Sequence, residues 1–321
     1  MLSVVVPMFD EEAVLPQTLP RMRAALDGIG CAYELICVDD GSSDATPALL
    51  HAARAGWPQL RIVRLRANAG HQAALTAGLD AADGDYVVTI DADLQDPPEL
   101  IATMLCRAVE EGADVVYAVR SDRTSDSPFK RITAGLYYRI ARRVAGPQVP
   151  THAGDYRLMS RAAVDALGTL PERHRVYRLL IPWLGFPSTT VSYTRSVRAA
   201  GTTKYPVSKM VRLAADSITS FTAAPLRLAT WLGAGGFLIC LLLGAGSVVV
   251  YFAGATVPGW ASITVAVMFL GAVQLLCLGL LGEYVARLYA EMQRRPLYFV
   301  AEDTGAAALA PSTELSELPA P

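Results

Sequence analysis

At 321 residues, 52% of them apolar, the chain carries enough hydrophobic material for a full α/β core with apolar residues left over. A formal net charge of −2 supplies no positive field of the kind that argues for nucleic acid. Five cysteines (Cys31, Cys37, Cys106, Cys240 and Cys277) without a C-x-x-C pair exclude a disulfide framework and fit free thiols in a reducing compartment.

The opening stretch MLSVVVP has no basic n-region and enters a strand pattern at once, so no cleaved signal peptide is expected. Short β-branched runs then alternate with segments of helical length. Strands are predicted at Leu2 to Val6, Glu34 to Val38, Arg61 to Leu65, Tyr86 to Ile90 and Val115 to Val119. Such alternation predicts an α/β fold: a mostly parallel sheet flanked by helices. Sheets of this kind bind ligands outside the carboxyl ends of their strands. PMFDEE, DDGSSD, RANAGHQ, DADLQD and RSDR, the stretches after the five strands, should therefore meet on one rim.

Within DADLQD, Asp91, Asp93 and Gln95 offer hard oxygen ligands in a compact arc, which suits Mg²⁺ or Mn²⁺ with positions left for water and a diphosphate. On spacing alone a D-x-D is equally a solvated turn. Asp39 and Asp40 end a second strand of the same sheet, and carboxylates gathered on one rim repel each other unless a cation sits among them. No G-x-G-x-x-G or G-x-x-x-x-G-K-[ST] loop is present, so a Rossmann cofactor or P-loop has no support. His71, His152 and His174 share no metal spacing and read as structural or solvated, and His51 as a surface residue.

Further along, YPVSKMVRLAADSITSFTAAPLRL reads as interfacial amphipathic helices over 206–227, with Met210, Leu213, Ile218 and Phe221 on an apolar face and Lys209 and Arg212 beside headgroups. Two apolar runs follow, about 228–252 and 263–284, each close to the roughly 20 residues that cross ~30 Å of hydrocarbon. A pair of buried core helices is the soluble alternative. The linker GATVPGWAS makes the runs a transmembrane hairpin over 228–285. Arg212 and Arg227 before it, with Arg287, Arg294 and Arg295 after it, place both ends in the cytoplasm. Glu283 is spaced to pair with Arg287. A cytoplasmic juxtamembrane segment, 286–300, precedes a tail, 301–321, whose Ala, Pro and Ser content reads as disorder.

Six stretches carry a resemblance: VVVPMFDEE, ICVDDGSSDAT, NAGHQAALTAGL, DADLQDPPEL, GDYRLMSR and RAAGTTKYP, in that order and ahead of the two apolar runs. The chain resembles the polyprenyl-phosphate glycosyltransferases of the inverting glycosyltransferase family two, which include dolichol-phosphate mannose synthases and undecaprenyl-phosphate glucosyltransferases. The similarity covers roughly residues 1 to 300. It implies a GT-A catalytic domain over 1–205 in the cytoplasm, an integral plasma-membrane protein, and a single hexose moved from a UDP- or GDP-linked donor to a polyprenyl phosphate. Relatives often form homotetramers.

Residue by residue, the resemblance gives the base and ribose to Pro7, Phe9 and Glu11, and a base contact to Asp39. Asp10 stands where Asn is usual. Gly41 permits the turn between Asp40 and Ser42, and Thr46 with Pro47 reads as the cap and opening of the next helix. Asp91, Asp93 and Gln95 become the metal ligands, with Asp91 also on the nucleotide-sugar and Asp93 catalytic. Arg120, a basic residue near Arg131 and Lys204 of T-K-Y hold phosphate, while Arg139, Arg142 and Arg143 read as a basic face toward anionic lipid. Asp155 of GDYRLM matches the residue assigned as base. A lipid monophosphate is already mostly dianionic near pH 7, so the expected task of Asp155 is orientation of the acceptor or stabilisation of charge on the sugar. Two other classes remain: a processive polysaccharide synthase, which normally has more membrane helices and a Q-x-x-R-W motif that YRLLIPW only approximates, and an inactive scaffold, which would be expected to have lost motif aspartates.

Overall fold

The computed structural model describes residues 1–121, 153–172, 175–194, 224–253 and 259–305. It divides into two units, Met1–Pro206 with Pro296–Pro321, and Val207–Arg295.

All five predicted strands form in the first unit: β1 (Leu2–Met8), β2 (Tyr33–Asp39), β3 (Leu60–Leu65), β4 (Tyr86–Thr89) and β5 (Val115–Arg120). Between them lie α1 (Leu15–Asp27), α2 (Thr46–Ala55), α3 (His71–Ala81) and α4 (Leu100–Glu111). All seven residues of β1 are buried, as expected of a central strand covered on both faces. Val4, Val6, Leu35, Cys37 and Ile62 join Leu15, Met22 and Leu26 of α1 in one core, where each large apolar side chain contributes about 1.5–3 kcal/mol by leaving water. On the other side α3 approaches unusually closely. A Cβ on Gly78 would lie 2.2 Å from Val5 Cγ1, so only glycine lets this helix settle there. The close approach carries His71, the first residue of α3, to the carboxyl end of the sheet.

The sheet is mixed but mostly parallel, as expected: among the described residues four of its seven strand pairings are parallel and three antiparallel. Its order is β7-β5-β6-β4-β1-β2-β3-β8, where β6 is Ala153–Ser160, β7 is Ser188–Tyr193 and β8 is Val300–Asp303. β6 runs antiparallel to both β4 and β5, filling the position between them. Two short helices, α5 (Arg161–Gly168) and α6 (Tyr177–Trp183), link β6 to β7. Ser160 caps α5, accepting from Ala163 N.

The stretch expected to be a disordered tail from residue 301 is corrected at its start. β8 pairs antiparallel with β3. Arg61 grips Asp303 with Nε and Nη2, both at 2.8 Å. Thr304 closes the pairing: its N donates to Ile62 O at 3.0 Å, and its hydroxyl oxygen accepts from Ile62 N at 2.8 Å. The remainder of that tail, 306–321, lies outside the described residues.

The second unit contains α7 (Ala224–Phe252) and α8 (Trp260–Met292), which pack against each other. Cys277 Sγ donates to Ala229 O at 3.5 Å between them. Among the described residues one span, Ala266–Met292, is long and apolar enough to cross a membrane, and Ala229–Ile239 is a shorter apolar stretch. α8 continues past residue 284 through much of the expected juxtamembrane segment, with Glu283 paired to Arg287 at 3.0 Å. The proposed interfacial helices lie outside the described residues up to 223, as do Arg131, Arg139, Arg142, Arg143, Lys204, His152 and His174.

Candidate active site

The loops after β1 and β2 are knitted together. Pro7 lies within buried β1, and Phe9 beyond it is 38% exposed on the rim. Asp10 adopts a positive φ of 51°, a conformation that Asp and Asn tolerate best among side-chain-bearing residues. Its carboxylate accepts from Ser43 N at 2.9 Å, which explains why Asp can stand where Asn is usual. Glu11 N donates to Thr46 Oγ1 at 2.9 Å. Thr46 is therefore the first residue of α2 and braces the neighbouring loop, correcting the cap reading; Asp44 Oδ1 accepts from its N–H instead.

Asp39 is fully buried at the end of β2. Its Oδ1 accepts from Ser42 N at 2.9 Å. Oδ2 has no hydrogen bond, although Arg64 Nε lies 3.2 Å away as an ion-pair partner. Asp40 accepts from Ala69 N and Gly70 N, pinning the loop before α3. Gly41 has φ +70°, and a Cβ there would stand 2.8 Å from backbone atoms of Ala67 and Asn68. These contacts fix the direction in which His71 enters the site.

Beyond β4, Asp93 Oδ1 accepts from Gln95 N at 3.1 Å across a turn in which Leu94 is held at φ 55°. Backbone held in this region persists only where surroundings enforce it. Burial pushes the Asp91 carboxyl up to about 6, opposed by His71 and reinforced by Asp155, Asp96 and Asp93. A carboxylate whose charge is disfavoured by its neighbours is what a divalent cation relieves. Among the described residues no group of three or more His, Cys, Asp or Glu side chains forms a ready metal cage. Two carboxylates and the Gln95 amide are hard oxygen donors of the kind that suits an ion whose other positions are filled by substrate oxygens and water.

Asp155 on β6 faces this turn. Its Oδ1 accepts from Arg157 Nη2 at 2.6 Å, and its Oδ2 lies 3.5 Å from Arg178 Nη2 and 3.6 Å from His71 Nε2. His71 Nε2 is also 3.9 Å from Asp91 Oδ1. Burial opposes ionisation of Asp155, but Arg178, His71 and Arg157 together hold its carboxyl well below the usual carboxylate range. Burial lowers His71, while Asp155 and Asp91 outweigh that and raise it. Arg157 is fully buried, and besides Asp155 it donates to Tyr177 O and Gly154 O. A buried guanidinium persists only when its donors are matched in this way.

His71, Arg157 and Arg178 were not assigned to the site from sequence, and His71 was read as structural or solvated. The available signals were positional: His71 belongs to one of the five rim stretches, and Arg157 lies two residues from Asp155 on the same strand face. Arg120, assigned to phosphate, ends β5, with its Nε 3.3 Å from Tyr193 Oη.

Residues 3–168 match the family described as Glycosyl transferase family 2, just over half the chain. A curated relative, the uncharacterized glycosyltransferase YkcC of Bacillus subtilis, is 41% identical over 310 residues, covering 94% of each chain. The chain belongs to glycosyl transferase family 2. This glycosyltransferase also matches the GtrB C-terminal hairpin over residues 224–288. The bactoprenol glucosyl transferase of Shigella phage SfII is 38% identical to it over 300 residues, 93% of this chain and 97% of that one. Among solved structures, Mycobacterium tuberculosis glucosyl-3-phosphoglycerate synthase in complex with Mn²⁺, UDP and phosphoglyceric acid superposes with a TM-score of 0.47 at 24% identity, covering 67% of this chain and 74% of that one.

Proposed function

We propose that this glycosyltransferase moves one sugar, with inversion, from a UDP- or GDP-linked donor to a membrane polyprenyl phosphate, using Mg²⁺ or Mn²⁺. The observation that carries the reading is a rim on which the D-A-D turn and Asp155 face each other across His71, in a chain similar to bactoprenol glucosyl transferases along nearly its whole length.

The buried Asp39 Oδ2 lacks a hydrogen bond and is the acceptor that a nucleobase N–H would satisfy. Phe9 supplies an apolar face beside Pro7, with Glu11 toward the ribose. Asp91, Asp93 and Gln95 would hold the cation, which when bound supplies charge neutralisation for the departing diphosphate. A phosphate oxygen of the lipid attacks the anomeric carbon, and the bond to the donor diphosphate breaks with its electron pair. A dianionic phosphate gives up no proton in this step, so no general base is required. Asp155, held ionised by Arg157 and Arg178, stabilises positive charge developing on the sugar ring. Arg120, Arg131 and Lys204 hold phosphate. Two membrane spans in the plasma membrane, a catalytic domain and both termini in the cytoplasm, and a homo-oligomer such as the tetramer of relatives complete the proposal.

Purified protein in detergent, given undecaprenyl phosphate, Mn²⁺ or Mg²⁺ and a panel of radiolabelled sugar nucleotides, should move label from one donor into the organic phase. That label should vanish with EDTA and with Asp93→Ala. Transfer that survives both would refute the assigned cation site, and no transfer from any donor would refute the assigned acceptor.

A further inference from the structure

Three parts of the site come from separate stretches of chain: the turn after β4, the end of β5 and the start of β6. One buried side chain touches all three, and no step above uses it. Tyr193, 6% exposed at the end of β7, is the register partner of Arg120 on β5. Its hydroxyl donates to Asp96, itself 1% exposed in the turn that follows Asp91, Asp93 and Gln95. The same oxygen accepts from Arg120 Nε at 3.3 Å. Its ring meets that of Tyr156, next to Asp155, edge-on with centroids 6.0 Å apart. Tyr156 in turn donates to Pro97 O at 2.9 Å, returning to the same turn.

A tyrosine hydroxyl has one proton to give and lone pairs to receive, so donation to Asp96 leaves its lone pairs aimed at Arg120. With Nε engaged, the guanidinium is set in one plane. Its Nη2 lies over Gly154, 3.3 Å from where a Cβ would be, immediately before Asp155. A longer side chain at 154 would displace it. Successive residues of a strand point to opposite faces, so the fork is held on the face of β6 that Gly154 and Tyr156 share, opposite Asp155, in the fixed plane that bidentate grip of a phosphate needs.

We propose that Tyr193 is a positioning residue: with Asp96 behind it, it locks the Arg120 fork against Gly154 to receive the acceptor phosphate. The inference rests on the functional reading above and adds the means by which the acceptor subsite is aligned with the donor turn.

The test is a double-variant cycle of Tyr193→Phe, Arg120→Ala and the combination, assayed with undecaprenyl phosphate in detergent and the donor that wild-type enzyme uses. The ring packing survives in Tyr193→Phe while buried Asp96 loses one donor, so the melting temperature should fall by only a few degrees and donor KM should stay close to wild type. KM for undecaprenyl phosphate should rise about tenfold, the usual effect of losing one hydrogen bond to a charged group. In the Arg120→Ala background the second change should add nothing, because the hydroxyl then has no guanidinium to hold. Unchanged acceptor KM, additive effects, or a collapse of donor affinity and melting temperature together would overturn the proposal, the last by showing the hydroxyl to be structural. Wild-type enzyme without transfer to undecaprenyl phosphate would sink the functional reading and this inference with it, whereas wild-type transfer with an indifferent Tyr193→Phe would sink only the inference.

Discussion

His71 shows most directly how charge is arranged on this rim. Its Nε2 stands within 4 Å of carboxylates from two motifs 64 residues apart, Asp91 and Asp155, so it offsets a repulsion that neither motif could relieve alone. His71→Ala should lower the transfer rate by roughly 10- to 100-fold, on the scale of one well-placed electrostatic contact, with the fold intact by circular dichroism. Asp155→Asn should depress the rate at every pH; a profile in which only the acidic limb moves would assign Asp155 a proton-transfer role instead. Asp91 gives a stability prediction. Burial pushes its folded carboxyl up to about 6, so its contribution to stability is complete below about pH 4 and is lost as pH rises through that value. A cation held by Asp91, as proposed above, would reverse that loss. Mg²⁺ or Mn²⁺ should therefore raise the melting temperature more at pH 7.5 than at pH 5, and equal shifts at both would exclude Asp91 as a ligand. None of this electrostatic pattern was legible from composition, since a lone histidine has no spacing to recognise. The D-A-D turn was legible because both of its carboxylates are local in sequence.

The elements divide in the same way. β1 to β5 were readable because each is a short β-branched or apolar run between helical spacings. β6 was found as a motif and missed as a strand: AGDYRLMS contains Gly, Asp and Arg, and its polar groups find partners far away in sequence, among them Thr89, Pro97, Asp114, Tyr177 and Arg178. β8 is the sharper case. VAED has no strand pattern of its own and forms because Arg61, far upstream, supplies a bidentate partner for Asp303. Asp303→Ala would leave Arg61 largely buried with Glu34 and Asp83 as its remaining ion-pair partners. The expected cost is about 1–2 kcal/mol, or a melting temperature lower by about 2–8 °C. An unchanged melting curve would show β8 to be incidental to the sheet.

At the scale of the whole molecule, the chain leaves its sheet after β7, forms a helical hairpin and returns to the sheet edge as β8. The catalytic unit is thus interrupted in sequence, and both connections to the hairpin start from it. The two helices were legible from apolar run length, although among the described residues one span is long and apolar enough to cross a membrane; α8 outruns its apolar run because Arg287 and its neighbours continue the helical pattern into polar sequence. Similarity to bactoprenol glucosyl transferases spans both units, which supports a sugar-transfer rim working on a lipid acceptor. Mass spectrometry of the lipid product made by purified enzyme from undecaprenyl phosphate and its preferred sugar nucleotide tests that union most directly. The expected product is a lipid heavier by a single sugar, joined through its one phosphate. A ladder of several sugars, or sugar in a product that lacks the lipid phosphate, would contradict it.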